Sequence, residues 1–255
     1  MAGLSPGRAV LRLDAVSRGF RVGGSLVRAM DGVDLEVPAG AIVTVVGASG
    51  SGKTTLIRVA AGLERPDSGQ VWREPASRLG VVFQEPRLLR SLTVEGNILL
   101  GLGAGRATPE GLGRVREVLE LLGLGGFRKA HPHQLSGGLA LRVALGRALV
   151  RDPEVLLMDE PFSALDAPLR RRLQDELLAI QRLRALSVVF VTHDLAEAIY
   201  LGDRVLVLRS GRLVEDQAIA LERPRDPRST PFHLIQDALV RSLEPAAAPP
   251  EENPA

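Results

Sequence analysis

The fold of this chain is decided by one glycine-rich stretch, Gly47-Ala48-Ser49-Gly50-Ser51-Gly52-Lys53-Thr54-Thr55. An apolar, β-branched run precedes it at 42–46, and a helical pattern follows it at 56–61. A strand, a glycine loop and a helix start form the context that a phosphate-binding loop requires. Glycines leave no Cβ in the way, so successive backbone N–H groups can surround a phosphate at the positive end of the helix.

Two side chains of this stretch suit a nucleotide. Lys53 is expected to reach the β- and γ-phosphates, and the Thr54 hydroxyl is expected to ligate Mg²⁺. Of the 32 basic residues only Lys53 and Lys129 are lysine, so the compact ammonium is kept where a point charge suits a phosphate. The competing interpretation, a Gly/Ser-rich turn before a helix, is disfavoured by the flanking strand and helix. All of 47–55 is therefore predicted to bind nucleotide.

Length and composition bound the remaining possibilities. With 255 residues, 45% of them hydrophobic and 24% charged, the chain can form one large domain or two small ones. A net charge of +2 and 3% aromatic residues argue against nucleic acid as the main partner. The lack of cysteine excludes disulfides and thiolate metal sites. Residues 1–10 do not resemble a secretion signal, and no apolar run approaches the roughly 20 residues of a membrane helix.

Hydrophobic periodicity predicts an α/β fold. The predicted strands are 10–16, 33–37, 42–46, 70–73, 79–83, 155–158, 187–191 and 204–208. The predicted helices are 56–61, 93–102, 109–122, 139–151, 167–186 and 196–200. Their alternation indicates an α/β core around a largely parallel sheet. Helices alone at about 85–150 indicate an inserted helical subdomain, and the Pro/Ala/Glu-rich segment 244–255 is expected to be disordered.

A second candidate feature is a pair of adjacent carboxylates, Asp159 and Glu160, that follows the apolar run 155–158. Ligand sites in parallel sheets lie at the carboxyl ends of the strands, so this end is predicted to face the phosphate loop. Asp159 is expected to hold Mg²⁺ through water, and Glu160 to act as the general base toward the attacking water. Taken alone, the pair is more simply an acidic turn; the phosphate loop upstream favours the catalytic interpretation.

A third feature is Ser136-Gly137-Gly138, which precedes a helix. The simpler interpretation is a helix cap with Ser136 as N-cap. Yet the segment also offers N–H groups and a hydroxyl, about 90 residues after the first anion-binding loop. The second loop could therefore serve a nucleotide bound to another copy of the chain.

Five motifs follow one another along the chain: GASGSGKTT (47–55), VVFQEPRLL (81–89), LSGGLALRVALGRAL (135–149), VLLMDEPFSALD (155–166) and VTHD (191–194). Together they resemble the ATP-binding subunit of ABC transporters, over about residues 10–243. The resemblance implies an α/β fold: a P-loop NTPase core with a mostly parallel sheet, an N-terminal antiparallel β part and an inserted helical subdomain. It implies a homodimer packed head to tail around two ATP molecules. It also implies that Ser136, Gly137 and Gly138 contact the γ-phosphate across that dimer.

The resemblance assigns further roles. Gln84 is expected to sense Mg²⁺ and the attacking water and to link to the transmembrane partner, while Ser163 and Asp166 communicate between the two sites. His193 is expected to contact the γ-phosphate and orient Glu160, although a lone histidine is more often structural. Phe20 falls where the family has an aromatic residue that stacks on adenine; a core phenylalanine is the competing interpretation.

Two positions depart from the family pattern. Leu139 and Leu141 stand where many relatives have glutamine, which puts ribose and side-chain contacts in doubt but leaves the phosphate contacts of Ser136 and the backbone intact.

A narrower resemblance concerns import ATPases for aliphatic sulfonates, taurine and nitrate. It rests on three stretches, at 84–89, 203–208 and 223–232. It implies transmembrane permease subunits, an extracytoplasmic substrate-binding protein, and a peripheral position on the cytoplasmic face of the cell membrane. Sulfonates are the favoured cargo, ahead of nitrate, taurine and metabolites such as pyrimidines. A soluble ABC ATPase of the iron–sulfur assembly type is the alternative from another class; a small-molecule kinase would not need the LSGG segment.

Overall fold

The computed structural model describes residues 8–75 and 77–243. The strands are β1 (Ala9–Val22), β2 (Ser25–Pro38), β3 (Ile42–Val46), β4 (Ser68–Arg73), β5 (Leu79–Val82), β6 (Val155–Asp159), β7 (Ser187–Thr192), β8 (Arg204–Arg209) and β9 (Arg212–Ala218). The α-helices are α1 (Lys53–Ala60), α2 (Val94–Leu99), α3 (Pro109–Leu121), α4 (Gly137–Leu149), α5 (Ala167–Arg184), α6 (Leu195–Leu201) and α7 (Thr230–Leu243). Short 3₁₀ helices lie at Leu100–Ala107, Gly125–Phe127 and Pro132–Gln134.

A six-stranded sheet in the order β5-β6-β7-β3-β8-β9 forms the core. All of its pairings are parallel except the last, between β8 and β9. Every residue of β3, β6 and β7 is buried, because strands covered on both faces need continuous apolar sequence rather than alternation. The predicted mostly parallel α/β core is confirmed.

The two faces of this sheet belong to two separate apolar clusters. Ile42 and Val46 of β3 lie in the cluster that contains α4, α5 and α6, whereas Val43 and Val45 lie in the cluster that contains α1 and the N-terminal strands. Successive side chains of a strand point to opposite faces, so β3 contributes side chains to both clusters. The central sheet is therefore held between helices on one side and a second sheet on the other.

That second sheet is antiparallel, with the order β2-β1-β4. Its inward side chains, among them Leu11, Leu13 and Leu35, join the cluster around α1. The predicted N-terminal antiparallel part is confirmed, but its strands are much longer than the predicted 10–16 and 33–37. Residues 25–28 at the start of β2 are all exposed, so the alternation of buried and exposed side chains that identifies a strand is absent at this end of the hairpin.

Between β5 and β6 the chain forms helices only, in agreement with the predicted helical pattern there. Thr93 and Thr108 cap α2 and α3 through their side-chain oxygens, which accept the N–H groups of Gly96 and Gly111. The predicted helix 93–102 is shorter: α2 ends at Leu99 and continues as the 3₁₀ segment, which bends at Gly103 (φ 56°, ψ −124°).

Two elements were not predicted. Strand β9 carries mostly exposed polar residues at the edge of the sheet, and α7 buries Phe232 and Leu239. The segment 244–255, predicted to be disordered, lies outside the described residues. Within the described ranges every helix is too short or too polar to cross a bilayer.

Candidate functional site

The glycine-rich loop connects the end of β3 to the start of α1. Gly52 has φ 109°, and a Cβ on it would lie 1.9 Å from the Ala29 carbonyl oxygen. A Cβ on Gly47 would lie 2.3 Å from the Leu208 carbonyl oxygen. Glycine is therefore required at both positions, because any other residue would push the loop away from β2 and β8. The loop is consequently packed against the sheet and presents its backbone to one side.

Lys53 is the first residue of α1, directly after this loop, and it is almost fully buried. Its Nζ donates hydrogen bonds to the carbonyl oxygens of Gly47, at 2.8 Å, and Ala48, at 3.0 Å. The same ammonium lies 3.2 Å from the Glu160 carboxylate. The charge of Lys53 is thus fixed at the mouth of the loop, where a phosphate would be received.

The topology brings the two carboxylates to the loop. In the parallel order β6-β7-β3, Asp159 pairs with Val191, and Val46 pairs with Thr192, so the carboxyl ends of three strands meet at one edge. The Thr54 hydroxyl lies 3.2 Å from the Asp159 carboxylate and donates to it. Thr54 and Asp159, which are far apart in the sequence, therefore lie together at the phosphate loop. Their roles in binding Mg²⁺ stay predictions.

The carboxylates differ in their electrostatics. Burial raises the pKa of Asp159, the Glu160 charge adds to that effect, and the hydrogen bond from Thr54 opposes it. Burial also acts to raise the pKa of Glu160, but the hydrogen bond with His193 and the charge of Lys53 bring it below its ordinary value. His193 Nδ1 lies 2.7 Å from the Glu160 carboxylate. Glu160 is therefore held ionised, as a proton acceptor must be.

A cleft of about 320 Å³ is lined by half of the predicted nucleotide-binding residues, together with the predicted catalytic residues Gln84 and Glu160. Ala29, which was not predicted, also lines it. The predicted residues along its wall are Phe20, Ser49, Gly50, Gly52, Lys53, Thr54, Thr55, Gln84 and Glu160. The half-buried Phe20 ring thus shares a cleft with the phosphate loop.

Gln84, which lines this cleft, also contacts Ser163. Its Nε2 lies 3.3 Å from Ser163 Oγ, which in turn donates to the Glu160 carbonyl oxygen at 2.9 Å. Gln84 and Ser163 are therefore connected by two hydrogen bonds to the backbone of Glu160, the proposed base.

Other predicted residues lie elsewhere in the single chain. Ser136 Oγ accepts the Leu139 N–H at 3.4 Å as the N-cap of α4, and Asp166 accepts the Leu169 N–H at 2.9 Å as the N-cap of α5. Ser136 and Gly137 are exposed outside the cleft, with Gly138 buried beside them. Within one copy Ser136 and Asp166 act as helix caps, and the roles of all four residues in a dimer stay predictions.

Sequence reasoning missed Arg170. Its guanidinium donates to the Leu165 carbonyl oxygen, at 3.0 Å, and to the Asp194 carboxylate, at 3.2 Å. It therefore ties the loop after Glu160 to the segment that carries His193. Within a run of three arginines no local signal distinguishes this one.

The fold and this cleft define a P-loop nucleoside triphosphatase. The model of the ABC transporter family matches residues 30–163. An uncharacterised ABC transporter ATP-binding protein of Methanocaldococcus jannaschii is 42% identical, covering 92% of this chain and 94% of the relative. The chain belongs to the ABC transporter family and is an ATP-binding ATPase.

Further relatives have more specific names. An aliphatic sulfonates import ATP-binding protein of Pseudomonas syringae pv. tomato is 45% identical, covering 89% of this chain and 84% of the relative. Among solved structures, a dimeric ATP-binding cassette in a post-hydrolysis state, bound to ADP and Pi, superposes with a TM-score of 0.74 at 28% identity. That superposition covers 83% of this chain and all of the other.

Proposed function

We propose that this chain is the ATP-hydrolysing subunit that powers import of a small organic anion, most specifically aliphatic sulfonates, through a membrane ABC transporter. The substrate class is supported by the 45% identity to a protein named for aliphatic sulfonate import. The hydrolytic role is supported by one observation above all: the Glu160 carboxylate contacts both Lys53 and His193 at the edge of the parallel sheet.

Each of the three residues has a defined part in hydrolysis. Lys53 neutralises the β- and γ-phosphates, Glu160 accepts the proton of the attacking water, and His193 holds the Glu160 carboxylate in position. The Lys53 ammonium contacts Glu160 directly, so the arriving phosphate exchanges one anionic partner of Lys53 for another. Catalysis therefore rests on positioning and electrostatics rather than on a covalent intermediate.

Thr54, Asp159 and Gln84 are the residues that would hold Mg²⁺. They fit the ion, because oxygen ligands suit Mg²⁺ and Thr54 Oγ1 and Asp159 Oδ1 already lie 3.2 Å apart in this region. Bound there, Mg²⁺ would neutralise charge on the phosphates. A cation next to Asp159 would also offset the burial that raises the pKa of this carboxyl.

The proposed assembly is a homodimer with two shared sites. Each ATP would contact loop 47–55 and the Phe20 ring of one copy, and the segment 136–138 of the other, with Asp166 communicating between the sites. The subunit would comprise one ABC ATPase domain at 10–243 with a helical subdomain at about 85–150. It would lie on the cytoplasmic face of the membrane, bound to permease subunits that work with an extracytoplasmic substrate-binding protein.

The experiment is affinity purification from membranes of the source cell with a tagged Glu160→Gln variant and ATP–Mg²⁺. Recovery of a multi-spanning permease is the expected result. The matched control is Glu36→Gln, at an exposed position on β2. Because this variant still hydrolyses ATP, we expect less permease to be recovered with it. Recovery of soluble partners alone, with ATPase activity intact in the parent chain, would replace the transporter with a soluble ABC ATPase of the iron–sulfur assembly type. The permease, reconstituted with its binding protein and the parent chain, is then assayed for uptake of an alkanesulfonate, taurine and nitrate.

A further inference from the structure

The aromatic ring at the rim of the nucleotide cleft is covered by a cation. The guanidinium carbon of Arg18 lies 4.8 Å from the centroid of the Phe20 ring, inside the range of a cation–π contact. Phe20 lines the nucleotide cleft and Arg18 does not; Arg18 lines a separate cavity together with Asp67 and Met30. Arg18 therefore contacts the Phe20 ring without itself lining the nucleotide cleft.

Arg18 is itself held in place by two acidic residues. Its Nη1 donates to the Asp67 carboxylate at 2.6 Å, and its Nε lies 3.7 Å from Glu64. Asp67 also accepts the N–H of Gly19 at 2.7 Å, between Arg18 and Phe20 on β1. The same carboxylate thus fixes the Arg18 side chain and the backbone beside Phe20.

We infer that Arg18 is a positioning residue for the adenine base, holding the Phe20 ring in the orientation that receives the base on its cleft side. This inference rests on the proposed role of Phe20. A ring fixed before the ligand arrives loses less rotamer freedom on binding, which strengthens stacking. A cation on one face also draws π electron density toward itself, which makes the other face a better partner for an electron-rich purine.

The effect is specific to the base, so the test compares ATP with inorganic tripolyphosphate, which has no base. We expect Arg18→Gln to weaken ATP binding about threefold and to leave tripolyphosphate binding unchanged. Phe20→Ala should weaken ATP binding about tenfold or more, the range of a lost base–aromatic stack. Because Arg18 acts through Phe20, the double variant should bind ATP no more weakly than Phe20→Ala alone.

The chain offers a matched control on the same strand. Arg12 makes the same two kinds of contact, with its guanidinium carbon 5.9 Å from the Trp72 ring centroid and its Nε 2.9 Å from the Asp14 carboxylate, but it lies outside the cleft. Arg12→Gln should therefore leave both affinities unchanged. Asp67→Asn keeps Arg18 but weakens the ion pair that holds it, so this variant should also bind ATP more weakly, by a smaller factor than Arg18→Gln. It provides a second test should Arg18→Gln fold poorly.

The outcomes separate this inference from the function on which it rests. If Phe20→Ala bound ATP as tightly as the parent chain, the adenine contact itself would be wrong. If Phe20→Ala weakened ATP binding but Arg18→Gln behaved like Arg12→Gln, the inference would be overturned and the adenine contact kept. An equal loss of ATP and tripolyphosphate affinity in Arg18→Gln would also overturn it, because the effect would then lie in the fold or the phosphate loop.

Discussion

Glu160 has φ 43°, a backbone conformation that residues other than glycine rarely adopt. Its N–H donates to the Val191 carbonyl oxygen at 3.0 Å, which extends the contact between β6 and β7 by one residue before the chain turns. The turn places the carboxylate between Lys53 and His193. Strained residues of this kind persist where the surrounding structure holds them, and they concentrate at functional sites.

The first prediction concerns the proposed base. Glu160→Gln should slow hydrolysis by about 100-fold or more, because the amide cannot accept the proton of the attacking water. ATP should still bind, and bind more tightly, since a negative charge beside the phosphates is removed. Phosphate release and equilibrium binding measure the two effects, with Glu36→Gln as the control. Hydrolysis at the parental rate would show that another group acts as the base.

At the scale of elements, helix α6 depends on a residue outside it. Arg225 is buried, and its guanidinium donates to the carbonyl oxygens of Ile199, Tyr200 and Gly202 at the helix C-terminus. Burial lowers the pKa of Arg225 to about 10, so it remains protonated at neutral pH. A cation at this end satisfies carbonyls that the helix leaves without partners and complements the helix dipole. The tail thereby anchors the helix that follows His193.

The second prediction is that Arg225→Ala destabilises the fold by about 3 kcal/mol, because several buried carbonyl groups lose their donor. The control is Arg228→Ala: this side chain is 90% exposed and pairs only with Asp226 among the described residues, so its loss should change stability by less than about 0.5 kcal/mol. Urea unfolding of both variants measures the difference. Equal stability of the two would exclude Arg225 as a structural anchor.

The third prediction also concerns α6. Burial first, and then the hydrogen bond that the Tyr200 hydroxyl donates to Asp175, raise the pKa of Tyr200 to about 12. Because the pKa is raised in the folded chain, the protonated Tyr200 hydroxyl contributes fully to the free energy of unfolding below about pH 10. That contribution is lost as the pH rises through 12.

Tyr200→Phe should therefore be less stable than the parent chain by about 1 kcal/mol at pH 8, with a difference that shrinks between pH 10 and 12. Urea unfolding at a series of pH values measures this. A difference that stayed constant through pH 12 would contradict the assignment of the alkaline change to Tyr200.

At the scale of the whole molecule, one copy of the chain leaves the nucleotide cleft without the segment 136–138. The cleft is lined from β1, β2, loop 47–55, Gln84 and Glu160, whereas Ser136 and Gly137 lie exposed at the start of α4. A cleft open to solvent exposes bound phosphates to water, and a second copy that supplies Ser136 would close it. The proposed ATP-dependent dimer follows from this separation.

The fourth prediction tests that closure. In the Glu160→Gln background, ATP–Mg²⁺ should convert the purified chain to a dimer, and Ser136→Arg should prevent this, because a large cation would occupy the proposed interface. ATP binding to the monomer should persist, since Ser136 lies outside the cleft of its own copy. His133→Arg, at another exposed position three residues earlier, should still dimerise. Light scattering after size exclusion gives the mass; a dimer in the Ser136→Arg variant would place the interface elsewhere.

Local sequence determined the phosphate loop, the buried parallel strands and the two carboxylates. Glycine spacing, apolar runs and the polarity of strand ends are properties of a few neighbouring residues, so they can be interpreted without the fold. The full β1–β2 hairpin was not predicted because residues 25–28 near its tip are all exposed, which leaves no alternation of buried and exposed side chains to detect. Strand β9 was missed because an edge strand with mostly exposed polar residues has little hydrophobic pattern to detect.

Which distant side chains contact one another depends on how the strands and helices pack. Arg18 contacts Asp67 across 49 positions of sequence, and Glu160 contacts His193 across 33. Arg170 and Arg225 likewise act on carbonyl groups that belong to other segments. In a chain where arginine is nearly the only basic residue, residue type does not distinguish a positioning arginine from a solvated one. Its role is set by burial and by the acceptors that strand order and helix packing bring within hydrogen-bonding distance.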